Sequence, residues 1–461
     1  MGPLRPPAGG SGLIGYRSTA SKSARVEGFR AALFAGQPAD GGLFLPERVP
    51  ALDLARLRSG TFSEHAAAAL EPWFEDEIAP PLVAELCRAV FDFPVPVVPL
   101  EPDVFLLELF HGPSAAFKDF GARFMARAAA ALREPEAPLT VLVATSGDTG
   151  AAVARAFTGL ARTRVVLLYP AGRVSPLQEL QLTAVPEEVT SFRVEGTFDD
   201  CQAMVRTALA NGELVAKLGL VAANSINVGR LLPQITYYVH ASAELAAAGP
   251  AASAAMPGRH RLPPQPEHPL VVVPSGNLGN LTAGLLARMQ GAPIRRLLAA
   301  TNRNDVFVRY LTSGRRRPQP AVATPSNAMD VGNPSNLERI RGLYPGDRRR
   351  LRRDVAAESI DDESTLAAMR RVHEEHGRFV CPHTAVALAA LRLYRVRTRD
   401  RAPAIVLATA HPAKFGEAVR AATGQEIPLP PALQALERLR RPARPRRADP
   451  AALVALLHRM S

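Results

Sequence analysis

The sequence predicts an α/β protein built on parallel sheets, and three observations carry that reading. Short apolar runs rich in valine and leucine recur along the chain, at Leu139 to Ala144, Val165 to Tyr169, Leu270 to Val273 and Ile405 to Ala408. They are continuous rather than alternating, as strands covered on both faces must be. Each ends in a turn rich in Gly, Ser, Thr or Pro, and most lead into a helical stretch, the pattern of repeated strand-to-helix units. The 461 residues, 47% hydrophobic and 21% charged, suffice for two or three domains and a large core. In such sheets ligands bind beyond the carboxyl ends of the strands, where all four turns lie.

Taken in order, residues 1–15 have the Gly and Pro composition of a flexible tail. Residues 16–95 read as a mostly helical N-terminal domain, its Ala- and Leu-rich stretches broken by the turn Ala39-Asp40-Gly41-Gly42, and Pro94 to Leu100 reads as a link. Residues 96–130 and 267–425 form a larger α/β domain around the runs at Leu270 and Ile405. Residues 131–245 form a smaller one around those at Leu139 and Val165. The Ala- and Pro-rich stretch 246–266 reads as a low-complexity surface insertion. Residues 426–461 carry a short helix, an Arg- and Pro-rich basic linker and a last amphipathic helix from Ala451 to Met460.

No run reaches the roughly 18 apolar residues a membrane helix needs, and the first thirty residues lack a signal pattern, so no membrane partner and a cytoplasmic address are expected. Cys87, Cys201 and Cys381 are too far apart for a metal-ligand spacing and odd in number for a disulfide framework, so no metal is expected. The formal charge of +12 raises nucleic-acid binding as a rival function. Its excess sits in separate Arg runs, 315–317, 348–353 and 438–447, without interleaved aromatics to stack bases, so no nucleic-acid partner is expected.

Lysine is scarce. Lys22, Lys118, Lys217 and Lys414 stand alone against a large excess of arginine. A guanidinium cannot condense with an aldehyde, whereas a desolvated lysine amine can. Lys118 follows the turn Gly112-Pro113, and Phe117, Phe120, Phe124, Met125 and Ala128 recur around it at helical spacing. That sets Lys118 in the first turn of an amphipathic helix as a candidate imine-forming lysine.

The turns supply what such a lysine would need. Ser275-Gly276-Asn277-Leu278-Gly279-Asn280 opens a helix with two glycines, leaving backbone N–H groups free for an anion, and it lacks the Walker lysine, so a compact cofactor phosphate suits it better than a nucleotide. Ser146 to Gly150 suits a carboxylate, with Asp148 able to accept from a hydroxyl or an ammonium and with helix capping by Ser146 and Thr149 as the plainer reading. Thr409 offers a neutral hydroxyl for a ring nitrogen. Asn224, Ser225, Asn227 and Arg230 suit a second phosphate or a carboxylate. His111, His383 and His411 each read as packed or capping histidines. An imine lysine, a phosphate cradle, a carboxylate loop and a ring-nitrogen partner together describe pyridoxal 5'-phosphate in an amino-acid enzyme.

The motifs HGPSAAFKDFGARFMA, ATSGDTGAAVA, NSINVGRLLPQ, VPSGNLGNLTAGLLA, ATNRNDVF, SNAMDVGNPSN, CPHTAVALAAL and TAHPAKF, in that order, resemble the threonine synthase family of the common bacterial and fungal type. The resemblance runs from about Tyr16 to the last helix. It implies a fold type II pyridoxal-phosphate enzyme, similar to the tryptophan synthase β subunit, with two parallel-sheet α/β domains and a helical N-terminal domain. It implies conversion of O-phospho-L-homoserine and water into L-threonine and phosphate by γ-elimination and β-hydration. The alternative is a phospho-lyase or a serine or threonine dehydratase that yields a 2-oxo acid. By motif match Lys118 forms the imine, Gly276, Asn277, Leu278, Gly279 and Asn280 hold the cofactor phosphate, and Thr409 faces the pyridine nitrogen. Ser146, Asp148 and Thr149 match the loop near the substrate's amino-acid end, and Asn224, Ser225, Asn227 and Arg230 are assigned to its phosphate. The family also implies a monomer or weak homodimer. The chain departs from the family pattern at Ser114-Ala115, where Thr-Leu is usual, at Asn280, where Asp is common, and at Arg173, which replaces a lysine.

Overall fold

The computed structural model describes residues 14–21, 26–74, 77–254, 268–434, 436, 444–447 and 449–460. The expected tail therefore lies almost wholly outside the described residues, as do Lys22 and residues 255–266 of the expected insertion. Within them the strands are β1 (Tyr16–Ser18), β2 (Phe44–Pro46), β3 (Val97–Glu101), β4 (Val104–Glu108), β5 (Leu139–Ala144), β6 (Thr163–Pro170), β7 (Val189–Glu195), β8 (Leu220–Ala222), β9 (Leu270–Pro274), β10 (Arg296–Thr301), β11 (Val355–Ser359), β12 (Ala404–Ala408) and β13 (Arg444–Arg447).

One sheet has the order β11-β10-β9-β12-β4-β3, and a second has the order β13-β7-β6-β5-β8. Within these two sheets every pairing is parallel except β3 against β4. The apolar runs of the sequence become β5, β6, β9 and β12, and β5, β9 and β12 are buried at every position. Their uninterrupted apolarity follows from helices covering both faces of each sheet.

Three regions depart from the sequence reading. Pro94 to Leu100, expected as a link, contributes to the edge strand β3, which tolerates Pro99 at a point where its register against β4 shifts, between Pro99 and Glu101. The expected basic linker contributes β13, which pairs with β7 from Arg444↔Phe192 to Arg447↔Glu195. The last helix, Pro450–Met460, then buries Leu453 and Leu457 in the core of that second sheet. The helix Ile235–Ala254 runs into the first part of the expected insertion, 246–254.

The N-terminal region holds the helices Phe29–Ala35, Phe62–Leu70 and Pro80–Val90 with the β1–β2 ribbon. Its aromatic rings grip the Lys118–Leu132 helix. Phe62 and Phe91 lie 5.5 and 5.7 Å from the Phe120 ring, and Phe74 stacks on Phe124 at 5.7 Å, while Tyr237 of the helix Ile235–Ala254 lies 5.0 Å from Phe120. Phe120 and Phe124 are fully buried, and each contributes about 2–3 kcal/mol through apolar burial. The stripe read from the sequence thus fixes the helix whose first residue is Lys118.

Candidate functional site

The carboxyl ends of β5, β9 and β12 face one cavity of about 350 Å³. It is lined by Lys118, Ser146, Asp148, Thr149, Asn224, Ser225, Arg230, the loop Gly276 to Asn280, and Thr409. Of the residues assigned to cofactor or substrate from the sequence, Asn227 alone stays off the cavity wall.

Lys118 opens its helix, and its Nζ lies 4.3 Å from the centre of the Phe117 ring. Burial, reinforced by the Arg230 charge and opposed by Asp148, lowers its ammonium from 10.5 to about 8. The amine is therefore available near neutral pH. Two loops laced together hold it there. The Phe117 N–H donates to Thr409 O at 2.9 Å, and the His411 N–H donates to Ala115 O at 3.0 Å.

The loop after β9 leads into the helix Gly279–Gln290, whose first N–H groups have no partner inside the helix. Leu278, at φ 62, takes the left-handed turn that aims the loop at the cavity. Gly276 is required by close approach, since a Cβ there would lie 2.8 Å from Met329 Cα. Asn277 is spent on the protein. Its Nδ2 donates to Ser225 Oγ at 2.7 Å, and its Oδ1 accepts from the Ser335 N–H at 2.7 Å. Asn280 Oδ1 accepts from the Tyr237 and Tyr238 hydroxyls at 2.6 and 2.7 Å, which leaves its buried Nδ2 without a partner among the described residues. A glycine that tolerates no Cβ, a left-handed turn, a helix start and an unspent amide donor fit a compact phosphate.

In the loop after β5, Thr145 supplies the turn's hydrogen bonds rather than Ser146 or Thr149. Its Oγ1 accepts from the N–H groups of Gly147 and Gly150 at 3.0 and 2.8 Å. Asp148 is buried and accepts from Lys414 Nζ at 2.7 Å and Gln178 Nε2 at 2.9 Å. Burial alone would raise its carboxyl, but Lys414 and Gln178 hold it below the usual carboxylate range.

Arg230 is 2% exposed. Its Nη1 donates to Ala223 O at 2.5 Å, its Nε has no partner among the described residues, and burial lowers its guanidinium to about 10. It enters this space because Gly121 leaves room, where a Cβ would meet Arg230 O at 2.6 Å and Nε at 3.0 Å. A buried cation with an unspent donor at a cavity wall is an anion seat. Asn224 Oδ1 is likewise buried without a partner among the described residues, while its Nδ2 donates to Ala144 O at 3.2 Å. Asn227 corrects the sequence reading. Its Nδ2 donates to Leu33 O and Ala222 O at 2.9 and 3.0 Å, and its Oδ1 accepts from the Gly229 N–H at 2.8 Å, so the side chain is consumed in capping the helix Val228–Leu231.

Sequence reasoning left Thr145, Gln178 and Asn327 unread, and it read His383 only as a packed or capping histidine. His383 lines the cavity, its Nε2 accepts from the Ala328 N–H at 3.3 Å, and burial lowers it to about 4, against Asp148 and with Lys118 and Lys414. It is neutral at pH 7. Asn327 Nδ2 donates to Gln178 Oε1 at 3.1 Å. The pattern Ser175-Pro176-Leu177-Gln178 is the one usable signal among these, because it forms a capping box. Among the described residues, His65, His240 and Glu244 are grouped closely enough to share an ion, as are Glu101, Glu375 and His376, and none of them lines the cavity.

The comparisons with known proteins identify the family. The family model described as pyridoxal-phosphate dependent enzyme matches residues 93–410, and models for the threonine synthase N terminus and C-terminal region match 15–91 and 384–456. The threonine synthase of Serratia marcescens is 43% identical over 411 residues, covering 88% of this chain and 90% of that protein. The crystal structure of threonine synthase from Escherichia coli superposes with a TM-score of 0.85 at 39% identity, covering 97% of this chain and all of that one. A pyridoxal-phosphate-bound threonine synthase from Brucella melitensis superposes with a TM-score of 0.83 at 33% identity, covering 97% and 99%. With the family models and relatives at up to 43% identity matching over most of its length, the chain belongs to the threonine synthase family of pyridoxal-phosphate dependent enzymes.

Proposed function

We propose that this cavity converts O-phospho-L-homoserine and water into L-threonine and phosphate, with pyridoxal 5'-phosphate held at Lys118. The observation that carries the reading is the convergence on one cavity of a low-pKa amine, a helix-start phosphate loop, a hydroxyl at the end of β12 and a buried guanidinium with an unspent donor. The N–H groups from Gly276 to Asn280, with Asn280 Nδ2, hold the cofactor phosphate, and Thr409 meets the ring nitrogen. When bound, the cofactor supplies an electron sink for charge at the substrate Cα. Lys118 takes the proton from Cα, and its neutral form is accessible because burial has lowered its pKa. Ser146 and Thr149 bind the substrate carboxylate. Arg230, Asn224 and Ser225 bind the substrate phosphate, where a fixed cation also favours its departure from Cγ. A proton also leaves Cβ as phosphate departs from Cγ, Cγ is then protonated, water adds its hydroxyl at Cβ, and Cα regains its proton.

Incubation with O-phosphohomoserine and assay of both products is the test. Threonine and phosphate in equal amounts are expected, and 2-oxobutanoate without threonine would replace this reading with the lyase alternative. Lys118→Ala is expected to lose the visible absorbance of the bound cofactor and the activity together.

The proposal treats 16–95, 96–130 with 267–425, and 131–245 as the working units, and joins 444–460 to the last of these through β13 and the final helix. A cytoplasmic protein acting as a monomer or weak homodimer without nucleic acid completes it. Three free buried thiols support a reducing compartment, and pairing of Arg316 with Glu338 and of Arg353 with Asp354 supports intramolecular use of the basic runs. No helix among the described residues is long and apolar enough to cross a membrane. Sedimentation velocity and a gel shift at moderate salt test the oligomer and nucleic-acid parts.

A further inference from the structure

Lysine scarcity singles out Lys414 as strongly as Lys118, and the reaction described above gives it no task. Its side chain is 0% exposed, and it does not line the cavity. The Nζ donates to Ser114 O at 2.9 Å and to Asp148 Oδ1 at 2.7 Å. Ser114 begins the loop that launches Lys118, and Ser114 O also accepts from Gln181 Nε2 at 3.0 Å. The next residue, Ala115, is held at φ 54, a left-handed conformation that costs a non-glycine residue about 1–2 kcal/mol and persists only where neighbours enforce it. Asp148 belongs to the loop after β5 that presents Ser146 and Thr149. The Lys414 carbonyl accepts from Ser175 Oγ at 2.9 Å, at the start of the helix Pro176–Thr183, which carries Gln178 and Gln181. One residue after β12 in the first sheet thereby ties down the Lys118 loop and a loop of the second sheet. Stability alone does not call for an ion pair in this place, since apolar pairs of similar volume are often equally or more stable.

We propose that Lys414 is a positioning residue that, through Ser114 and Asp148, sets the spacing between the Lys118 amine and the Ser146–Thr149 loop. The inference rests on the reading of those two loops as halves of one reaction site. A compact ammonium with three donors meets two acceptors on different loops from within a closed space.

The test compares wild type, Lys414→Met, Asp148→Asn and the Lys414→Met/Asp148→Asn double variant, each as holoenzyme with O-phosphohomoserine and each also free of cofactor. Lys414→Met strands a buried carboxylate, and both its thermal midpoint and its kcat are expected to fall. The double variant removes the stranded charge and is expected to regain most of the midpoint while kcat stays down about ten-fold or more, with KM within about three-fold. In the cofactor-free double variant, amide exchange across residues 144–150 is expected to quicken. Asp148→Asn keeps an acceptor for Lys414 and is expected to fold and to lose about three-fold in kcat, so the test survives if Lys414→Met does not fold. Wild-type kcat in both the double variant and Asp148→Asn would overturn the inference and reduce the pair to a structural contact. A wild-type holoenzyme that makes no threonine would instead overturn the functional reading, and it would do so before any variant is measured.

Discussion

Arg230 and Arg339 are both buried guanidiniums without a carboxylate partner among the described residues, yet they sit on opposite sides of the boundary between site and scaffold. Arg339 spends four of its five N–H groups on the protein. Its Nε donates to Phe44 O at 2.9 Å, its Nη1 to Ser225 O and Asn336 Oδ1 at 3.1 and 2.7 Å, and its Nη2 to Ile226 O. It binds β2, the Ser225 turn and the helix Leu337–Leu343 into one piece, and burial lowers it to about 9. Arg230 makes one backbone contact, keeps an unspent Nε and borders the cavity. Residue type and burial do not separate a structural cation from a ligand-binding one; the number of donors left over does.

A graded set of measurements separates the two arginines. The largest effect is expected from Arg339→Met, which strands several carbonyls at once and should cost about 3–5 kcal/mol in urea unfolding. Arg230→Met should leave the urea midpoint nearly unchanged and raise KM for O-phosphohomoserine roughly 30- to 100-fold, the equivalent of about 2–3 kcal/mol of charge-assisted binding. A fallen midpoint with an unchanged KM would move Arg230 to the scaffold side.

A third buried polar site extends the contrast. His65 Nδ1 and His240 Nδ1 lie 3.0 Å apart between the helices Phe62–Leu70 and Ile235–Ala254, and burial, then the His65 charge, lowers His240 to about 4. A histidine whose folded pKa is depressed binds its proton more readily when unfolded, so stability is lost as pH falls from about 6.5 through 4. About 2 kcal/mol should be lost at this pair between pH 7 and pH 5, read as the difference in pH slope between wild type and His240→Gln. His383 and His411, also lowered to about 4, add to the wild-type slope in both proteins. The smallest effect belongs to Asn227→Ala. Loss of a saturated cap should cost about 1 kcal/mol of stability and leave KM within about two-fold.

Much of the site was legible because its chemistry is local. A glycine turn before a helix, a threonine at a strand end and a lysine in a first helical turn are each written in a few adjacent residues. What was misread depended on partners distant in the chain. Asn227 looked like a ligand donor because nothing in NSINVGR reveals Leu33 O, which takes its amide from 194 residues away. Asp148 looked free for a ligand because Lys414 lies in another motif. Pro99 and the Arg444 segment looked like linkers because strand propensity at a sheet edge is set by the neighbouring strand and not by composition.

The parallel α/β class, the four strand-end turns and the chemical inventory of the cavity are legible in contiguous residues, since burial on both faces and helix-start geometry leave their marks there. The tertiary structure alone decided which of those groups are spent and which remain open. Hydrogen-bond saturation is a property of neighbours: Arg339 is consumed by Phe44, Ser225 and Ile226, while Gly121 leaves Arg230 the space to face the cavity with a donor unspent.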